Sequence, residues 1–496
     1  MRIVTLWLSI VIPVVMSISG HADQLNSSKL ISTEQLKKDF QQLYSGLQLG
    51  SYDLYAHRSK AEYNSMFARE LTELDEPLTV FEAQKRFMKF AAHANIAHTR
   101  IDFPMAEFMS FIDQGGKTLP LSFSIDDNEV RVDQYFGLSN KIKHGHQVLS
   151  VDGISVDDWL KPLRGYLSAD NAQLRNELLE QMVAPLLWLD QGQKESYHLK
   201  LKDPISNNIF EIVQVTMTQD KQSQQTSESQ TQTDSKPREY KVIDGAIGYL
   251  KPGPFYNVYA TNEIETWDKT EFKTFIDDAF KHFIEAKVTT IVIDITGNPG
   301  GTNSFSDLML AWFADKPFRF ASDFRVKVSA LSRAANQARF PKSGSADDIT
   351  TKLEDFYSRH QEGDVISFPL DNSLPNAKPH SIVDKNINVW VWVDRFSYSN
   401  AVSVAAIAQD YQFATVIGEK TSDLATTYGA MEHFKLTHTG IQVGYPKALI
   451  IRPNGEAHPD GVTPDVIIPN YQARLAREQR LKQVLAFLKS SRLEKQ

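Results

Sequence analysis

Three serines fall within seven positions of the stretch Val391–Ala406, VWVDRFSYSNAVSVAA, where an apolar run stops and small residues begin at helical spacing. A hydroxyl at such a strand-to-helix junction sits on rigid structure, and a helix N-terminus favours negative charge developing beside it. Ser399 holds that position, Ser397 lies earlier in the turn, and Ser403 falls one helical turn inside, where packing is its expected role. The plainer reading of Ser399 is a helix N-cap, the usual work of a serine at a helix start. A nucleophilic serine also needs a proton acceptor, and the quoted stretch contains neither His nor Lys. A second segment, Asp294–Gly301 (DITGNPGG), follows an apolar run and precedes the helix-like TNSFSDLMLAWF. Glycines at a strand-to-helix turn can aim backbone N–H groups at an anion or an oxyanion, or can form a tight turn that binds nothing. The segment lacks the Gly-Lys-Ser/Thr ending of a phosphate loop and does not fit the dinucleotide pattern.

These residues need elements to hold them. Thr290–Asp294 is continuously apolar up to its final Asp, as expected of a strand covered on both faces. Phe272, Phe275, Ile276, Ala279, Phe280, Phe283 and Ile284 are spaced for one face of a helix, and a strand at Val389–Val393 followed by a helix from about Asn400 repeats the logic. Residues 240–470 therefore read as an α/β domain. Upstream, Ser32-Thr-Glu-Gln35 forms a capping-box pattern ahead of Leu36, Phe40, Leu43 and Leu47, and a second helix is expected from Thr79 with Glu82 three residues on. Residues 28–104 read as a helical domain and 105–217 as a β-rich one, with an Asp152-Gly153 turn between two strands and a helix opening near Asp157. Residues 218–239 carry too few apolar side chains to offset ordering entropy and read as a disordered linker or insertion. Residues 321–380 read as an irregular insertion, and 471–496 as a basic helix packed on the domain through Leu481, Val484, Leu485 and Leu488.

The bulk properties exclude several functions. A net charge of −8 over 496 residues argues against a general nucleic-acid binder. The absence of cysteine excludes thiol catalysis and thiolate zinc sites. Residues 1–22 read as a signal peptide: Arg2, an apolar run from Val4 to Ile18, then Gly20-His-Ala22 before a cut at Asp23. That run is shorter than the roughly 20 residues of a membrane span. The expected location is periplasmic or secreted, with no integral span after signal removal.

Several short motifs, in order and at matching spacing over roughly residues 240–470, resemble the tail-specific, or C-terminal-processing, serine protease family. They are Asp294-Ile-Thr-Gly-Asn-Pro-Gly-Gly301, Arg395-Phe-Ser-Tyr-Ser-Asn-Ala401, Gly418-Glu-Lys-Thr421 and Gly461-Val-Thr-Pro-Asp465. The resemblance places the nucleophile on Ser399 and the oxyanion donors on the backbone N–H of Asn400 and one in the Gly300-Gly301 turn. It puts Leu424 where one branch of the family carries its lysine base, and Thr296 where the family has arginine. Lys420 is a neighbouring alternative base. The tricorn-like branch uses a histidine instead, and Ile96-Ala-His98-Thr99 matches that segment; a neutral imidazole is a standard general base for serine. His93 is a second candidate, and no His-Glu-x-x-His metal motif is present. The branch's glutamate aligns with His458, so Glu456, two residues earlier, is the expected orienting acid, with Glu432 and Asp410 as other carboxylates. Residues 145–156 (GHQVLSVDGISV) resemble the closing element of PDZ-like domains.

The combined expectation is an α/β (α+β multidomain) chain: an N-terminal helical domain, a β-rich PDZ-like domain and a C-terminal α/β catalytic domain. The implied function is an exported serine endopeptidase acting on a polypeptide or peptide without a cofactor, as a monomer or an oligomer. A catalytically silent peptide- or lipid-binding relative, and an esterase using the same serine, are the alternatives.

Overall fold

The computed structural model describes residues 28–126, 129–227, 236–261, 265–339, 348–376, 381–469, 471 and 475–493. The expected signal peptide lies outside the described residues, as do residues 228–235 of the expected linker. No helix among the described residues is long and apolar enough to cross a membrane.

The C-terminal half is built on a five-stranded sheet, ordered 239–243, 247–251, 290–294, 388–393, 415–418. The first two strands form an antiparallel hairpin and the other pairings are parallel. Helices Thr270–Glu285, Asn303–Leu310 and Asn400–Asp410 lie along the crossovers between these parallel strands. The continuous apolarity of the central strands has a direct cause. Ile291, Ile293, Val391 and Val393 pack with those crossover helices on one face. Val292 and Trp392 pack on the other face with Val484 and Leu488 of the C-terminal helix, Arg477–Leu493. Each such side chain contributes about 1.5–3 kcal/mol by leaving water. In a sheet of this kind the loops beyond the carboxyl ends of the strands form the natural site, and both Asp294–Gly301 and Asp394–Ser399 leave the sheet there.

A second, antiparallel sheet is ordered 365–367, 323–327, 442–451, 427–435. With helices Ala330–Gln337 and Asp348–Ser358 it shows that much of 321–380, expected to be irregular, is ordered structure. The two strands that this stretch contributes, of five and three residues, are short and bury few side chains, which weakens the apolar pattern that marks a strand.

The N-terminal helices pack onto that second sheet and share a core with the β-rich region. Both expected capping boxes are present, at Ser32 and at Thr79. The helix Lys60–Glu73 was not foreseen; only Tyr63 of its side chains is fully buried, so it shows little apolar periodicity. Gly46 and Gly50 sit against the Phe434 and Tyr445 rings, closer than a Cβ would permit. Asp39, wholly buried, accepts the N–H groups of His438 and Thr439.

The middle region has a sheet ordered 121–126, 129–135, 147–151, 196–202, 209–215, and the expected Asp152-Gly153 turn joins the strands 147–151 and 154–155. It also holds the 20-residue helix Ala172–Gln191. Residues Gln219–Ser227 form a helix rather than the expected disordered segment, tied down by the buried Gln222 amide, which donates to Thr118 Oγ1 and the Met217 carbonyl.

Candidate active site

Strand 388–393 ends at Asp394, a buried carboxylate that shapes the turn after it. Its Oδ1 accepts the N–H groups of Phe396 (3.1 Å) and of Gly297 (2.9 Å), so one side chain ties the two candidate loops together. Ser397 is wholly buried; its Oγ donates to the Ile295 carbonyl and accepts the Asp394 N–H. That removes Ser397 as a nucleophile.

Ser399 precedes helix Asn400–Asp410 with φ 53° and ψ −124°. A positive φ is uncommon for a residue with a Cβ and is held by surrounding structure at a strain of about 1–3 kcal/mol. Three contacts hold it. The Ser399 N–H donates to Asp423 Oδ2 (2.5 Å), the Tyr398 N–H donates to the Asn298 carbonyl (2.9 Å), and the Tyr398 ring packs with Ala97, Ala169, Leu174 and Leu178. The Ser399 carbonyl starts the helix, accepting from Val402 and Ser403, but its side chain makes no capping bond. The hydroxyl is half-buried and has no hydrogen-bond partner among the described residues.

The glycine turn abuts this residue. Gly300 has φ +87°, and a Cβ there would lie 2.6 Å from the Tyr398 carbonyl oxygen and 2.8 Å from Ser399 Cβ. The Gly300 N–H is engaged by Asn298 Oδ1 (2.9 Å), which corrects its expected role as a donor to substrate. The backbone N–H groups of Gly301 and Asn400 have no partner among the described residues. Asn400 is fixed at its side chain, where Nδ2 donates to Ser306 Oγ (2.9 Å).

His98 arrives from the other end of the chain. After helix Val80–Ala92 the backbone turns at Asn95 (φ 55°), and Arg100 pairs with Gly444 of the second sheet through two backbone hydrogen bonds. This brings the His98 ring to 6.1 Å from that of Tyr398, the residue before Ser399. No hydrogen bond joins His98 to Ser399 among the described residues. Burial pushes the imidazole pKa down to about 4; the Arg100 charge adds to this and Asp170 opposes it. His98 is therefore neutral near pH 7, the form a general base requires. Its Nδ1 is buried without a partner.

The other candidates are placed elsewhere. Lys420 is an exposed residue paired with Asp460 at 2.8 Å, and Leu424 is buried. His93 packs against the Tyr63 ring. Glu456 sits on an exposed turn, its carboxylate accepting the His458 N–H at 2.8 Å, and no contact joins it to His98. Asp410 is paired with Arg452 and Glu432 with Lys447. Thr296 donates its hydroxyl and its N–H to Asp294.

Two acidic residues that sequence reasoning missed lie in this neighbourhood. Asp423 is wholly buried, and burial raises its pKa to about 7. Asp170 accepts the Ala97 N–H at 3.1 Å. Their spacing along the chain gives no signal; Asp423 is distinguished only by adjoining Leu424, the position matched to the family's lysine.

Residues 247–468 match the model of peptidase family S41. Among solved structures, mature CPAF in complex with lactacystin is similar at a TM-score of 0.62 and 15% identity, covering 92% of this chain and 98% of that one. A second structure of mature CPAF gives 0.60 and 14%, covering 91% and 96%. The photosystem II D1 C-terminal processing protease gives 0.44 and 16%, covering 90% and 96%. No curated protein matches the sequence.

Proposed function

We propose, from the match of residues 247–468 to the model of peptidase family S41, that this chain is an exported serine endopeptidase in which Ser399 is the nucleophile and His98 its general base. Ser399 Oγ forms a bond to the carbonyl carbon of a peptide while its proton passes to His98 Nε2. The carbonyl π electrons move onto oxygen, and the N–H groups of Asn400 and Gly301 are the donors for that oxyanion. Collapse expels the amine, which takes the proton from His98, and water repeats the sequence on the acyl-enzyme.

The observation that carries this reading is the backbone at Ser399. A strained φ is maintained at a serine whose hydroxyl makes no structural bond and whose following helix N-terminal amide is unpaired, and a buried neutral imidazole lies 6.1 Å from the ring of the preceding Tyr398. An N-cap serine would have a relaxed backbone and a bonded side chain. The direct test is labelling by a fluorophosphonate probe, with turnover of peptide and ester substrates measured in parallel. Wild-type labelling that Ser399→Ala abolishes is expected. A folded wild-type protein that resists the probe as fully as Ser399→Ala would refute the proposal, and turnover of esters alone would replace endopeptidase with esterase.

A further inference from the structure

The acid expected to orient His98, Glu456, is exposed and engaged elsewhere. Asp170 lies between helices Val156–Arg164 and Ala172–Gln191, in the middle region rather than in the sheet domain that carries Ser399. Its carboxylate is fully buried. One oxygen, Oδ2, grips the backbone N–H of Ala97, the residue before His98. The other, Oδ1, is buried and unpaired, with His57 Nε2 at 3.5 Å and itself unpaired. His98 Nδ1 is also buried and unpaired. Buried polar atoms without partners are scarce in folded proteins. Here a carboxylate oxygen and an imidazole nitrogen of complementary chemistry both lack a hydrogen bond; Asp170 is tied to the His98 segment through Ala97, and among the described residues no hydrogen bond or ion pair joins the two side chains themselves.

We propose that Asp170 is the acidic positioning residue of this site: Oδ1 accepts the Nδ1–H of His98, fixing the tautomer that presents a bare Nε2 to Ser399. This rests on the reading of Ser399 and His98 as nucleophile and base. When the serine proton reaches Nε2, a cation forms next to the positive Arg100, and the Asp170 charge offsets that repulsion without itself taking the proton. His57 is the second imidazole facing the same oxygen, on the loop after helix Thr33–Gly50. Asp423 also has one oxygen bonded to a backbone N–H and one buried without a partner, but it holds the Ser399 N–H rather than the His98 segment, and it is Asp170 whose charge acts on the His98 imidazole. The charged and titratable groups around His98 are Arg100 on its own segment, Tyr398 from the serine turn, and Asp170 from the middle region; the backbone of Tyr428 approaches it from the second sheet.

The test measures fluorophosphonate labelling rates of the full chain across pH for wild type, Asp170→Asn, Asp170→Glu and His98→Ala. Asp170→Asn is expected to slow labelling by roughly 10²–10⁴-fold at neutral pH, with partial recovery in Asp170→Glu. Because Asp170 raises the imidazole pKa, its removal also moves the acid limb of the rate profile to lower pH, a shift that a merely structural defect would not produce. If His98→Ala is inert and Asp170→Asn labels within about threefold of wild type, the assignment of Asp170 falls and the base stands. If His98→Ala labels normally, the base reading itself falls. Should the Asp170 variants fail to fold, ¹⁵N spectra of histidine-labelled wild type decide the matter, with the His98 signals identified by their loss in His98→Gln. A protonated Nδ1 is expected, and a protonated Nε2 overturns the proposal.

Discussion

Two titratable groups around the Ser399 turn, His98 and Asp423, have opposite displacements. The depressed imidazole pKa of His98, about 4 through burial, predicts that its neutral form persists well below the usual histidine range. The acid limb of kcat/KM should therefore fall near pH 4; a limb near 6.5 would show that His98 is not the base. His98→Ala is expected to lower kcat/KM by at least about 10³-fold, whereas Lys420→Ala, an exposed position, should leave it unchanged. A dead Lys420→Ala with an active His98→Ala would transfer the base to the lysine. Asp423 runs the other way. Its folded pKa is about 7 and its unfolded value near 4, so its stabilising contribution is complete below about pH 4 and is lost as pH rises through 7. At roughly 1.4 kcal/mol per pH unit, that loss reaches about 4 kcal/mol. Asp423→Asn removes the ionisation and retains a side-chain oxygen for the Ser399 N–H. The melting temperature of the variant relative to wild type should therefore rise between pH 5 and pH 8; a constant difference across that range would contradict the buried ionisation.

At the scale of elements, the C-terminal helix is more than a cover for the sheet. Arg477 reaches Asp294 (Nε to Oδ2, 2.9 Å) and Arg480 reaches Asp394 (2.9 Å). These are the carboxylates that end the two strands from which the site loops depart. Removing one partner of a buried pair leaves an uncompensated charge and typically destabilises by about 3–5 kcal/mol. Arg480→Ala should lower stability to urea by that order. It should also slow Ser399 labelling more than Leu481→Ala on the same helix does, because Asp394 Oδ1 organises both loops. Equal effects of the two variants on labelling would mean that the helix acts only through packing. The central strands, the crossover helices and this C-terminal helix were legible in the sequence because their apolar periods are long and face buried neighbours. Helix Lys60–Glu73 and the strands at 323–327 and 365–367 were not, since each buries few side chains and its pattern is correspondingly faint. His98 came from family resemblance and not from spacing. Asp170 and Asp423 were invisible because what sets them apart is burial by elements remote in sequence.

Across the whole molecule, the candidate site is a junction of regions that the sequence presents as separate. The connector around residues 168–175 is bonded on both sides: Ser168 Oγ donates to the Ile96 carbonyl (2.6 Å), and Asn171 Nδ2 donates to the Ser422 carbonyl (3.0 Å). The His98 segment and the serine domain are thus each tied to a third region that contains neither. Arg395 makes the same connection from the serine side. Its Nε donates to Glu419 (2.7 Å) within the sheet domain, and its Nη1 donates to Glu177 (3.1 Å) on helix Ala172–Gln191 and to Asp126 (3.2 Å). The Glu177 side chain is only 3% exposed, so Arg395→Ala takes the Arg395 cation away from a buried carboxylate. A loss of about 3–5 kcal/mol is expected, centred on the contact between the regions. Hydrogen exchange should then quicken in helix Ala172–Gln191 and in the turn Arg395–Asn400 together, while strand Thr290–Asp294 stays protected. Labelling of Ser399 should fall in parallel, because that turn carries the strained serine. Faster exchange confined to the helix, with labelling intact, would show that the regions touch without the serine depending on the contact.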